Sequence, residues 1–132
     1  MFWKKPKFQS AHFGELIFRH GKWKSKAIHT HVGDIGLSVA GSKKGPNVDA
    51  LDAAGALLKD IVGLVAVAVA FVRADNDAKN FVADQGELIV DLLDVDDVVG
   101  DFSISFGPSK WPDAMIEVLF KSGVPCAVLL AD

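Results

Sequence analysis

The feature that most constrains this chain is a run of twelve consecutive apolar residues at positions 61–72 (IVGLVAVAVAFV). As an α-helix the run is about 18 Å long, whereas the hydrocarbon core of a bilayer is about 30 Å thick. A longer helix would include Asp60, Lys59 and Asp52, each of which costs about 2.5–3.5 kcal/mol near the membrane centre. The run therefore predicts a buried central element of a globular domain and no membrane span.

Burial of this run should be extensive. An exposed apolar segment of that size would form a patch that invites aggregation. We therefore expect Val65, residues 67–69 and Phe71 to pack against a sheet; exposure of the segment would mark an interface between copies of the chain.

The residues around the run favour helical structure over positions 48–73. Asn47 is a good N-cap, and acidic residues in the following turn suit the positive end of a helix dipole. Gly55 and Gly63 lie on either side of Lys59 and Asp60, so one helix and two helices broken near residue 60 both remain open. The abundant valines leave a buried strand as a further alternative.

Strand-like segments lie on both sides of this helical region. Alternating apolar positions and turn residues predict three strands before it, at 11–19, 23–32 and 35–40. A further helix is expected from about 77 to 93, followed by strands at 98–106, 115–121 and 125–131. The order predicts an α+β fold with a mainly antiparallel sheet: three strands, one or two long helices plus a further helix, then three strands, with the apolar helix packed on one face.

Composition fits a single α+β domain spanning residues 1–132. Half of the residues are apolar and 23% are charged, which excludes a disordered or fibrous chain. Cys126 is the single cysteine, so no internal disulfide can form and a reducing compartment is indicated. Residues 1–8 are basic and aromatic, with no apolar stretch of a secretory signal behind them. We expect a cytoplasmic protein.

Charge is divided unevenly along the chain. Residues 1–44 carry a net charge of +7 and residues 45–132 carry −10, which together give −3. The two parts can neutralise each other in the fold, form a polarised surface that steers a partner, or support self-association.

The acidic part contains a cluster that can act as a docking surface for a basic partner. Its candidate partner-binding residues are Asp91, Asp94, Asp96, Asp97, Asp101 and the aromatic Trp111. The cluster does not match a calcium loop, because valines interrupt the alternation of oxygen ligands. A solvated helix end and a Trp that covers the core are the alternative interpretations.

The basic part offers an alternative polyanion-binding or nucleic-acid-binding face. Its candidate residues are Lys22, Trp23, Lys24, Lys26, Lys43 and Lys44. The net charge of −3 argues against strong binding to nucleic acid.

Motifs for catalysis and cofactors are missing from the sequence. His29 and His31 lie on one face of a strand about 6.6–7 Å apart, which suits a shared metal only if a third ligand joins them. No nucleophile elbow, zinc-protease helix or dinucleotide turn occurs. We therefore expect no catalytic residue, no metal and no cofactor, and an uncharacterised enzyme is kept as a second alternative.

Several short stretches resemble one family of domains. They are Phe13-Gly14-Glu15-Leu16, Trp23, Ile35-x-Leu37-x-Val39, Gly45-Pro46 before residues 51–60, Phe102-Ser103-Ile104, and residues 115–120 before the end at Asp132. This pattern is similar to small bacterial domains of unknown function grouped with polymorphic-toxin immunity proteins. The resemblance implies a six-stranded α+β module with a binding role and no catalytic residues.

The sequence thus favours a non-enzymatic protein-binding module, immunity-like or regulatory, that acts through its acidic surface. The expected partner is another protein, with nucleic acid as the alternative and no membrane. Self-association into a homo-oligomer stays open.

Overall fold

The computed structural model describes residues 5–132. Within that range it has ten strands and three helices. In chain order these are β1 (Lys7–Ser10), β2 (Gly14–Arg19), β3 (Lys22–Ser25), β4 (Ile28–Thr30), β5 (Gly33–Ser42), β6 (Gly45–Pro46), α1 (Val48–Lys59), α2 (Ile61–Ala74), α3 (Asn76–Phe81), β7 (Leu88–Val95), β8 (Phe102–Pro108), β9 (Met115–Lys121) and β10 (Val124–Ala131).

All ten strands belong to one sheet, in the order β1-β2-β3-β5-β7-β8-β9-β10, with β4 and β6 also paired to β5. Neighbouring strands are antiparallel except β5 and β7, which are the one parallel pair among the described strands. A parallel pair requires a long crossover, which the three helices provide. The prediction of an α+β fold with a mainly antiparallel sheet is confirmed, but the prediction of six strands is wrong, because the described residues form ten.

The helical region is divided into two helices at Asp60. The side chain of Asn47 caps α1 by accepting a hydrogen bond from the Ala50 N–H at 2.9 Å, as expected. The axes of α1 and α2 differ by 85° across Asp60. The sequence left one helix, two helices and a buried strand open, and the structure has two helices.

Neither helix can cross a bilayer by itself. Within residues 5–132 no single helix is long and apolar enough for a span. α1 and α2 reach the required length and apolar content only when they are counted together across their bend.

The helices cover one face of the sheet and enclose the core. α1 packs on β5 and β7, and α2 packs on β9 and β10. Alternate strand residues point into this layer; they include Ile35, Leu37, Val39, Leu93, Val95, Phe102, Ile104, Phe106, Ile116, Val118 and Phe120. Two of them, Phe102 and Phe120, stack with their ring centroids 4.5 Å apart.

The expected burial of the apolar run is only partly correct. Ala68 is fully buried, whereas Val65, Val69 and Phe71 are half-buried and Val67 is exposed. The fold has two layers, so α2 contacts the sheet with one side and no described element covers its other side.

The second predicted helix is wrong over most of its length. In place of a helix from 77 to 93, α3 ends at Phe81 and a central strand, β7, begins at Leu88. Gly86 between them has φ +88°, a conformation that a helix cannot continue through. The apolar spacing of residues 88–93 suits a helix, but these residues form a central strand, where a short apolar run gives the same signal.

Other strand boundaries also differ from the predictions. The segment 23–32 is divided into β3 and β4, and residues 98–100 belong to a turn before β8. The edge strand β1 was not predicted, because its sequence, KFQS, has no apolar alternation.

Gly41 and Gly55 provide a matched test of the packing. A Cβ at Gly41 would lie 2.5 Å from the Gly45 carbonyl oxygen and 2.7 Å from Trp23 Cδ1, whereas a Cβ on Gly55 within α1 would lie 3.9 Å from Phe13 Cζ. We expect Gly41→Ala to lower the free energy of unfolding by about 1–3 kcal/mol through overpacking. Gly55→Ala should raise it by about 0.5–1 kcal/mol through helix propensity. Urea denaturation measures both, and equal effects would contradict this packing.

Candidate functional site

The best-defined surface feature is the turn between β7 and β8, residues 96–101, which we call the acidic turn. Its two ends are joined by a hydrogen bond from the Asp96 N–H to the Asp101 carbonyl at 3.0 Å. Inside it, the Asp101 N–H donates to the Val98 carbonyl, also at 3.0 Å. The turn is closed by its own backbone.

The neighbouring β9–β10 turn holds the acidic turn in place. The Gly123 N–H donates to the Gly100 carbonyl at 2.9 Å, and the Ser122 N–H donates to Asp101 Oδ1 at 3.1 Å. Gly100 has φ +91°, and a Cβ there would lie 2.9 Å from Ser122 Cα. Only glycine fits this close approach, so the acidic turn has a defined shape without any partner.

The acidic turn presents apolar and acidic side chains together. Val98 is 58% exposed and Val99 is 73% exposed, although valine is normally buried. Asp96 and Asp97, which precede them, are exposed. Protein–protein interfaces share this arrangement of apolar side chains with a polar rim, although valine is not among the residue types enriched at binding hot spots.

Lys22 links the acidic and basic candidate surfaces. Its Nζ lies 3.3 Å from Asp94 Oδ1 and 3.6 Å from Asp96 Oδ1. Asp94 Oδ1 is closed off from solvent and has no aligned hydrogen bond, so its contact with Lys22 is an ion pair only. Part of the predicted acidic cluster is therefore neutralised by part of the predicted basic face.

The remaining acidic candidates are separated along the chain. The carboxylate of Asp101 accepts the hydrogen bond from the Ser122 N–H of the β9–β10 turn, as described above. Asp91 is exposed at an irregularity in the pairing of β7 with β8. It lies about 15 Å from Asp96 at the usual rise of a strand. The five aspartates do not form one surface, and Asp96 and Asp97 are the exposed pair within the turn.

Trp111 lies in the β8–β9 connection, at the opposite end of β8 from the acidic turn. Its ring is half-buried, with its centroid 4.8 Å from that of Phe81 in α3. Trp111 therefore packs on α3 of its own chain.

The structure places Trp23 in the core, contrary to its expected role on a polyanion-binding face. The side chain is 1% exposed, and its Nε1–H donates to the Ser42 carbonyl at 2.8 Å. Phe8 and Phe18 pack against its ring. This burial removes the aromatic ring that would stack on a base.

The other basic candidates stay at the surface. Lys24 lies opposite Ser38 on the sheet face without helices, and Lys26 follows β3. Lys43 and Lys44 form the exposed turn between β5 and β6. A cleft of about 540 Å³ lies near this turn, between Lys22 and the acidic turn, and is lined by backbone and small side chains such as Ala40 and Ser42.

His29 and His31 do not form a metal site with a third ligand. His29 Nδ1 lies 2.8 Å from Asp34 Oδ1, and both side chains are exposed. Across residues 5–132 no three His, Cys, Asp or Glu side chains are grouped closely enough to hold a metal. The carboxylate of Asp34 is instead the partner of His29, and this pair was not predicted from the sequence.

A groove of about 730 Å³ lies between the β1–β2 connection and α1. Phe8, Phe13 and Leu51 form much of its lining, together with His12, Asp52 and Lys59. Among the described residues no hydrogen bond or ion pair joins these three ionisable side chains.

Val98 and Val99 were not predicted as candidate site residues, because the sequence pattern assigned both to a strand. The signal was present as two valines enclosed by aspartates and followed by Gly100. Apolar residues inside a glycine-containing acidic segment can belong to a turn, where they are exposed.

Comparison with known proteins adds no relative: no family model matches the chain, no curated protein is significantly similar to it, and no solved structure significantly matches its fold.

The ion pair of Lys22 with Asp94 can be measured by a double-mutant cycle. Lys22→Met keeps the aliphatic stem but leaves a partly buried carboxylate without its cation, so the free energy of unfolding should fall by about 1 kcal/mol. In an Asp94→Asn background the same change should cost about half as much or less. Lys24→Met, at an exposed position, is the control and should change stability by less than about 0.5 kcal/mol. Equal costs in both backgrounds would show that the ion pair contributes nothing.

Proposed function

We propose that this protein is a non-enzymatic binding module that docks a basic protein partner on its acidic turn. The observation that carries the proposal is the exposure of Val98 and Val99 on a backbone held by hydrogen bonds at both ends. The immunity-like or regulatory role implied by the sequence resemblance is compatible with such docking, and an immunity role would make the partner a toxin.

The shape of the acidic turn supports binding without a large entropy loss. Ordering a flexible loop during association costs free energy, and a loop that is already ordered avoids that cost. Residues 96–101 are joined to each other and to the β9–β10 turn through four hydrogen bonds. The two valines are therefore presented in a fixed position to a partner.

The charges favour a basic partner. Asp96 and Asp97 lie beside the valines and are exposed. Lys22 is shared between Asp94 and Asp96, so these three aspartates keep a net negative charge that would attract a cationic surface during encounter. Charges at the rim of an interface mainly raise the association rate, whereas the apolar contacts lower the dissociation rate. In the proposed site, the aspartates would therefore raise the association rate and the adjacent valines would lower the dissociation rate.

The alternative polyanion site receives less support. Trp23 is buried and Lys22 is engaged with Asp94 and Asp96, which leaves Lys24, Lys26, Lys43 and Lys44. These four lysines can attract a phosphate backbone. The candidate residues of this face, however, include no exposed aromatic ring on which a base could stack.

Cytoplasmic residence is part of the proposal. It rests on Cys126, the single cysteine, whose thiol is exposed and unpaired. An exposed free thiol is more stable in a reducing compartment than in an oxidising one.

The proposal predicts a site-specific cross-link. A photoreactive benzoylphenylalanine at position 99 should give a discrete protein adduct when the protein is expressed in its own host and illuminated. The same probe in place of Val62, which is 56% exposed on α2, is the matched control and should give no such adduct. With the captured partner purified, Asp96→Lys combined with Asp97→Lys should lower the association rate about tenfold or more at low salt, with a smaller effect at high salt. The free energy of unfolding should change by less than about 1 kcal/mol.

Lys24→Glu combined with Lys26→Glu provides the opposite control. These changes should leave the association with the captured partner within about twofold of the unmodified protein, because neither lysine lies in the acidic turn. A labelled DNA duplex in a filter-binding assay should not be retained. Salt-sensitive retention that is lost on lysine reversal and kept on aspartate reversal would contradict the proposal and favour the polyanion alternative.

A further inference from the structure

The last strand of the sheet, β10, is an unprotected edge. It pairs with β9 on one side only, so alternate backbone N–H and C=O groups on its other side are free for another strand. Its eight residues, VPCAVLLA, include no charged side chain, and none of them is buried. Proteins protect such an edge with lysines, inward-pointing charges, prolines or bulges. β10 has a proline and an irregular register at its start, at Pro125, but residues 127–131 have none of these features.

The opposite edge of the sheet differs in each of these respects. β1 has four residues, and Lys5 and Lys7 are exposed at its start. This edge is short and basic, as expected for an edge that is kept from pairing. The contrast indicates that the exposure of β10 is not a general property of this sheet.

The exposed area of the chain is large for its mass. The accessible surface is 8213 Å² for a chain of 14.1 kDa. Compact monomers of this mass expose about 6,700 Å². A standard interface takes ~800 Å² from each partner, which a surface of this area can accommodate.

We propose that β10 pairs antiparallel with β10 of a second copy of this chain, forming a dimer with one continuous sheet. The pairing segment is residues 127–131, because the register with β9 is irregular between Pro125 and Ala127 and Pro125 lacks a backbone donor. A two-fold axis at Leu129 places Leu129 opposite its copy, Val128 opposite Leu130, and Ala127 opposite Ala131. Every cross-strand pair is then apolar, and no like charges meet.

The side chains on both faces of the strand fit this arrangement. Leu129, on the face without helices, is 50% exposed and would be covered by its copy. Val128 and Leu130 are half-buried at the margin of the core, so pairing would join the two cores. A second copy is the natural occupant because a strand paired with itself about a two-fold axis closes the assembly, whereas β10 on β1 of another copy would leave free edges and extend into a fibre.

The test is the mass of the full-length protein in solution, measured by light scattering after gel filtration and by sedimentation at several concentrations. The unmodified chain should have twice the 14.1 kDa of the monomer. Leu129→Lys should give a monomer with an unchanged circular dichroism spectrum, and its dimer dissociation constant should rise at least about tenfold, because two lysines would face each other at the axis. Leu129→Glu should behave in the same way.

Mixing these two variants tests the register. Lysine from one chain would face glutamate from the other, so an equimolar mixture of Leu129→Lys and Leu129→Glu should recover the dimer mass. Ile89→Lys is the matched control, since Ile89 is 55% exposed on an inner strand and should remain dimeric when changed. A monomeric unmodified chain, an assembly larger than a dimer, a dimer that tolerates both Leu129 variants, a dimer disrupted equally by Ile89→Lys, or a failure of the mixture to recover the dimer would each overturn the proposal.

Discussion

The parallel pairing of β5 with β7 is the constraint on which the rest of the structure depends. It joins an N-terminal set of antiparallel strands to a C-terminal set, with Gly36 opposite Leu92 and Val39 opposite Val95. Because a parallel pair needs a crossover, the three helices must pass over one face of the sheet. The other face is left without helices, and the sheet ends at β1 on one side and at β10 on the other.

The same pairing brings the two halves of the charge pattern together. Lys22 comes from the basic part of the sequence, and Asp94 and Asp96 from the acidic part, yet β3, β5 and β7 are adjacent in the sheet. The neutralisation is partial, because one lysine faces two carboxylates and the rest of the acidic turn extends beyond the end of β7. What remains exposed there is a small acidic surface with two valines.

Local signals in the sequence predicted local structure well. Asn47 marked the start of α1, and the break before α2 lies at Asp60, which was one of the alternatives that the sequence left open. The prediction failed for residues 88–93, where an apolar run suits a buried helix and a central strand equally. In the proposed docking surface, Asp96 and Asp97 were candidates from the sequence, whereas Val98 and Val99 were not. The burial of Trp23 and the ion pair of Lys22 depend on strand neighbours that are distant in sequence, which a single sequence does not reveal.

The topology also has a consequence for how the chain folds. Hairpins on either side of the helices close short loops, whereas pairing Gly36 with Leu92 closes a loop of more than fifty residues. That closure costs about 1.5 kcal/mol more entropy than a ten-residue loop. Non-local strand pairing slows folding, so we expect the two antiparallel halves to form early and their union at β5 and β7 to limit the rate. Until that union, the inner edges of both halves are free, and this interval is when the chain is most exposed to misassembly.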